Sequence, residues 1–174
     1  MKRVLGRAVG LWLLLALQAS LAPHLEVAGV APDLPLTAVL VWAMADGPIS
    51  GAVAGVAAGL ALDLLRGNAI GLFALAAACA GALCGFAATR LDPARFVVRW
   101  VLAAGAAAVY GAVIAVAWWV LDPGSVQWLG VGHHLLVAAL WDASLAAGAY
   151  GVWQRWVVRG ARPAVLRPPT PRNW

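Results

Sequence analysis

Residues 51–71 read GAVAGVAAGLALDLLRGNAIG. Gly51, Gly55 and Gly59 recur at every fourth position, and Asp63 takes the next step. A four-residue step advances a helix by about 400°, so the four positions lie along one slowly drifting face. That face is smooth for three steps and then presents a carboxylate. The positions between are mostly Ala, Val and Leu. In water such a helix would be weak, because each interior Gly costs about 1 kcal/mol relative to Ala. In a bilayer, small residues at this spacing let another helix approach closely. The stretch reads as a membrane helix whose glycine ladder packs against a second helix, either of the same chain or of a partner.

The composition agrees with a bilayer setting. Of the 174 residues, 64% are hydrophobic and 11% charged, where a soluble domain carries about 25% charged residues. Long apolar runs cover most of the length, which implies one polytopic membrane domain. Cys79 and Cys84 sit inside one such run at a spacing that fits neither metal nor redox chemistry, and they read as small packing residues.

Working outward from residues 51–71, six spans are expected. The first runs from about Val4 to Leu21. Its basic start, LWLLLAL centre and small-residue stretch at Ala19–Ala22 also fit a cleavable leader, whose removal would leave the other spans in place. A polar loop from Pro23 to Pro32 precedes a short second span, Asp33 to about Ala45, with Asp33 as a helix N-cap. Asp46-Gly47-Pro48 is a turn, and the third span covers Ile49 to Leu65. After Arg66-Gly67-Asn68 the fourth runs from Ile70 to Thr89. The basic loop from Arg90 to Arg99 leads to the fifth, Trp100 to Leu121. Asp122-Pro123-Gly124-Ser125 turns into the sixth, Gly130 to Trp153. Residues 1–157 thus form a six-span domain and 158–174 a basic, Pro-rich tail. An even number of spans puts both termini on one side. Eleven of the twelve Lys and Arg residues fall on that side, and Arg66 alone on the other. The positive-inside rule then places both termini in the cytoplasm. The arginines act as topology determinants beside anionic lipid. No basic and aromatic groove for nucleic acid is present.

Few residues offer chemistry. Asp63 lies near the outer end of the third span, one turn before Arg66, so the two have the spacing of an ion pair on one helix. It reads either as a paired or snorkelling surface group or as a fixed contact that shapes the outer loops or a partner site. Asp142 is deeper, in LLVAALWDASLAAG. An ionised Asp at mid-span costs about 2.5 to 3.5 kcal/mol, so it is expected protonated or hydrogen-bonded to another helix, with Ser144 and Gln18 as partners. A structural hydrogen bond and a site in a cavity are the two readings. His133 and His134 point about 100° apart on a helix and do not form a chelating pair by themselves. No phosphate loop, nucleophile–base pair, metal set or cofactor motif is present, so a stand-alone enzyme is not expected.

The ordered set Pro32-Asp33-Leu34, the ladder Gly51, Gly55, Gly59, then Leu60, Asp63 and Gly71-Leu72 resembles the rod shape-determining MreD family. The resemblance implies a non-catalytic scaffold of the bacterial elongation (Rod) complex in the plasma membrane. Its partner would be MreC, a bitopic protein. It would work beside the MreB filament, RodA and the elongation transpeptidase in peptidoglycan synthesis and rod cell shape. It implies an all-α, six-helix transmembrane bundle similar to the S component of energy-coupling-factor transporters. Gly51, Gly55, Gly59, Asp63 and Gly71 become helix-packing or partner-binding positions, while Asp142 takes no role from the family. The fold similarity raises one alternative, an S-component-like carrier of a vitamin-sized molecule. Such a site needs several convergent polar groups, and the outer loops supply few beyond His24, Glu26, Asn68, Gln127 and the paired histidines.

Overall fold

The computed structural model describes residues 10, 13, 16–18, 20, 30–67, 71–121 and 128–160. The Ala19–Ala22 stretch in all but Ser20, the loop at Pro23–His24, Glu26, Asn68, the Asp122–Ser125 turn, Gln127 and the tail beyond 160 lie outside the described residues. Six helices and no strand occur among the described residues. Positions 10, 13, 16–18 and 20 are helical (α1). The others are α2 (Leu34–Asp46), α3 (Pro48–Arg66), α4 (Leu72–Arg90), α5 (Phe96–Leu121) and α6 (Trp128–Gly160). Four of them, α3 to α6, are long and apolar enough to cross a membrane.

Two boundaries move relative to the hydropathy reading. The helix of the fifth span begins at Phe96, not Trp100, and α6 continues past Trp153 to Gly160. Hydropathy locates the apolar slab, whereas helix length follows backbone hydrogen bonding, so helices protrude into the basic flanks. Arg99 N–H already donates to Arg95 C=O at 3.2 Å.

The short helix α2 is the centre of the bundle. Pro35 to Val41, Ala43 and Met44 are all buried; a helix apolar on every side belongs inside. It packs on α3, α4 and α6. Gly47, at φ +88°, ends α2 and feeds directly into α3, a backbone conformation that glycine adopts without strain. The closest pair is α3 with α4. Around this centre the inward faces of α5 and α6 are lined with alanine: Ala103, Ala106 and Ala107 on one, Ala139, Ala143 and Ala146 on the other. Leu62, Phe73, Leu102, Tyr110 and Tyr150 also point inward, while many other large side chains point outward. On α3 the exposed stripe is Ile49, Val53, Val56, Leu60 and Leu64, opposite the glycines. Small residues along the helix contacts and a stripe of large apolar ones outside is the arrangement of helices associating in lipid through close backbone approach.

Candidate functional site

The three glycines of the ladder are seated on α4. A Cβ on Gly51 would stand 2.7 Å from the Ala43 methyl and 2.8 Å from the carbonyl carbon of Gly81. One on Gly55 would stand 2.5 Å from Ala77 C and 2.6 Å from Ala78 N. One on Gly59 would overlap the backbone of Ala74. From α4, Gly85 faces Gly47 and Pro48 in the same way. The two helices run antiparallel with their small residues in register.

The fourth step of the ladder does something different. Asp63 is 1% exposed, and its carboxylate receives the start of α4. Oδ2 accepts from Gly71 N–H at 2.9 Å and Ala74 N–H at 3.3 Å, and Oδ1 accepts from Phe73 N–H at 3.0 Å. A helix start leaves N–H groups without intrahelical acceptors, and a negative group there also meets the positive end of the helix dipole. The surface reading of Asp63 is therefore corrected, and so is its pairing with Arg66. The Arg66 guanidinium lies over the Phe73 ring instead, 4.6 Å from its centroid. Gly71 has no atom within 4 Å of where a Cβ would stand. Its requirement is conformational, φ +103°, which lets the turn present its N–H to Asp63.

A second buried helix start lies beside the first. At 1.5 Å per residue the 13 residues of α2 span about 20 Å, short of the ~30 Å hydrocarbon core. Because α2 meets α3 at Gly47, its other end begins inside the bundle, where each unsatisfied N–H costs several kcal/mol. Every one of them is met. Asp33 N–H donates to Asp142 Oδ1 at 2.8 Å. Leu34 N–H donates to Gln18 Oε1 at 2.9 Å, and residue 35 is proline. Leu36 N–H donates to Asp33 Oδ1 at 3.0 Å, and Thr37 N–H to Asp33 C=O at 2.9 Å. Gln18 Nε2 donates back to Pro32 C=O at 3.0 Å. The Tyr110 hydroxyl donates to Asp33 Oδ2 at 3.1 Å. Asp142 is 3% exposed and Asp33 9%. The partner of Asp142 is thus the backbone of α2. Gln18 joins the same cluster without touching it, and Ser144 turns away to Leu140 C=O at 2.7 Å.

Beside this cluster is a cavity of about 730 Å³ lined by α5, α6 and the segment that leads into α2 (Val30, Ala31 and Asp33), reaching the adjoining ends of α3 and α4. Asp33, Asp142, Tyr110 and Gln18 form its polar floor. Phe73, Ile114, Trp118 and Leu135 contribute apolar wall, and the exposed Arg66 and His134 stand at its rim. The sequence reading looked for convergent polar groups in the outer loops, whereas the fold supplies them from helices. Tyr110 was missed altogether. His133 is exposed, and the described residues contain no group of three metal-ligating side chains.

Residues 2–146, nearly the whole membrane region, match the family of the rod shape-determining protein MreD. The chain belongs to the MreD family. Comparison with curated proteins and with solved structures returned no match. As an MreD-family chain with four apolar helices of spanning length, it is a multi-pass membrane protein of cell-shape determination. The residues that carry the MreD resemblance acquire physical roles. Pro32-Asp33-Leu34 is the buried, capped start of α2. Gly51, Gly55 and Gly59 are the seam with α4. Asp63 with Gly71 locks the α3–α4 turn that closes that seam. Of the three buried carboxylates among the described residues, Asp33 caps its own helix, while Asp63 and Asp142 each hold the N-terminus of another helix inside the bundle.

Proposed function

We propose that this protein is a non-catalytic membrane scaffold of the bacterial elongation machinery. It lies in the plasma membrane with both termini in the cytoplasm and binds an MreC-like bitopic protein. In this reading it stands beside MreB, RodA and the elongation transpeptidase and supports peptidoglycan synthesis during rod growth. The observation that carries the reading is the family match over residues 2–146. The eleven-to-one division of basic residues supports the orientation. The locked α3–α4 seam supports a rigid body, and the exposed stripe from Ile49 to Leu64 gives a single-span partner an apolar surface within the bilayer. Depletion in the host tests it. Rod cells should widen and round up while still dividing, and unchanged cell width would overturn the reading.

The carrier alternative gains from one observation, the cavity with its polar floor. Binding and transport separate experimentally. A carrier subunit requires ATP-driven uptake of a ligand, and a scaffold does not.

A further inference from the structure

The hydrogen bonds around the α2 start leave one acceptor over. Asp142 Oδ1 takes the Asp33 N–H, while Oδ2 has no hydrogen-bond partner among the described residues and belongs to a side chain that lines the cavity. Both oxygens of Asp33 are engaged, by Leu36 N–H and the Tyr110 hydroxyl. Both ends of the Gln18 amide are engaged as well. The floor therefore presents one acceptor, on a group 97% buried by its 3% exposure, inside a space large enough for an organic molecule. Asp142 Oδ2 is not one of the fully enclosed atoms without a partner, which among the described residues are Thr37 Oγ1 and Arg99 Nε; it is an acceptor left open to the cavity.

The rim presents the complementary feature. Arg66 makes no ion pair among the described residues. Its guanidinium is held flat against Phe73, and Phe73 packs on Tyr110 with ring centroids 6.3 Å apart. Tyr110 in turn holds Asp33, and Asp33 holds Asp142. One continuous wall thus links a cation at the rim to an acceptor at the floor. The helix α3 is six residues longer than α2 (19 against 13) and both meet at Gly47, so the two groups differ in depth by about 9 Å at 1.5 Å per residue. A short carbon linker between an ammonium and an anionic group bridges such a step once the hydrogen-bond lengths at each end are added.

We propose that this cavity binds a zwitterionic primary amine of the phosphoethanolamine type, its ammonium donating to Asp142 Oδ2 and its anionic oxygens meeting Arg66. The apolar walls at Ile114, Trp118 and Leu135 accommodate the remainder of the molecule. The same zwitterion occurs as a phospholipid headgroup and as a free solute. A primary ammonium is required because a quaternary one has no N–H to donate.

The test uses the full-length protein. It is extracted from membranes with a defined lipid mixture of ethanolamine, choline and glycerol phospholipids, and retained lipid is quantified by mass spectrometry. Binding of free phosphoethanolamine and phosphocholine to delipidated protein is measured in parallel. Wild type is expected to enrich the ethanolamine lipid, or to bind free phosphoethanolamine, about tenfold over the choline counterpart, the worth of one charge-assisted hydrogen bond. Enrichment of the lipid identifies the headgroup as source, and binding of the free compound alone identifies the solute. Asp142→Asn keeps the acceptor for Asp33 N–H and removes the charge. Arg66→Gln alters only an exposed rim residue. Both should abolish the preference while the protein still elutes as a folded species. Equal retention of ethanolamine and choline forms by wild type, or a preference that survives both substitutions, would overturn the proposal.

Discussion

Replacing Gly55 by alanine adds one methyl in the middle of the α3–α4 seam. The new Cβ would stand 2.5 Å from Ala77 C and 2.6 Å from Ala78 N, against an optimum near 3.5–4.0 Å for such contacts. Both obstacles are backbone atoms, which have no rotamer to swing aside. The helices must separate by about 1 Å, and a gap of that size forfeits about a quarter to a half of each dispersion contact across the seam. Overpacking of a well-fitted interior costs about 1–3 kcal/mol, and a backbone obstacle belongs at the upper end. Alanine returns about 1 kcal/mol of helix propensity, which leaves a net loss of about 2 kcal/mol. Leucine at the same site should be worse. The controls are Gly105→Ala and Gly148→Ala, whose added methyls meet no atom within 4 Å. They keep the propensity gain without the clash and should be neutral or stabilising. Thermal unfolding of purified protein in detergent, followed by the folded peak in size-exclusion chromatography, measures all three. A Gly55→Ala protein as stable as wild type would refute the reasoning. So would an equal fall in all three, which would show that glycine at these sites matters for something other than the seam.

Asp63→Ala strands the N–H groups of Gly71, Phe73 and Ala74, so folded yield should drop by the equivalent of about 2 kcal/mol or more. Retention of full yield would contradict the capping role. Asp142→Asn retains an acceptor for Asp33 N–H and should fold at near wild-type yield. Asp142→Leu should lose about 1–3 kcal/mol, and an Asn variant as poor as the Leu variant would show that the fold needs the carboxylate itself. For topology, single cysteines at positions 26 and 126 should react with an impermeant thiol reagent in intact cells. Those at 94 and 165 should react only after permeabilisation, and labelling of site 94 from outside would sink the orientation.

The seam was legible because the four-residue recurrence of Gly51, Gly55 and Gly59 is a local pattern with one strong physical meaning in lipid. Asp33 as an N-cap was legible for the same reason. It precedes Leu34-Pro35, and capping acts within a turn. The partner of each buried carboxylate was not. Asp63 looked like half of an i, i+3 pair with Arg66 because helix spacing is visible in a sequence, whereas a turn that folds back onto Asp63 is not. Asp142 bonds a backbone group 109 residues away. Backbone N–H groups exist at nearly every position, so no side-chain search could single out Asp33. Tyr110 shows the same limit. Its ring reads as one more apolar position in an alanine-rich helix until the short length of α2 places a buried helix start opposite its hydroxyl.

The central claim, that this MreD-family chain acts by holding a bitopic partner, is tested most directly by affinity purification of the tagged full-length protein from its own membranes in mild detergent. Quantitative mass spectrometry then reads what accompanies it. The account predicts an MreC-like single-span protein recovered in stoichiometric amount, whatever small molecule or lipid is also bound. A folded protein recovered with a stoichiometric small molecule and no single-span partner would contradict it.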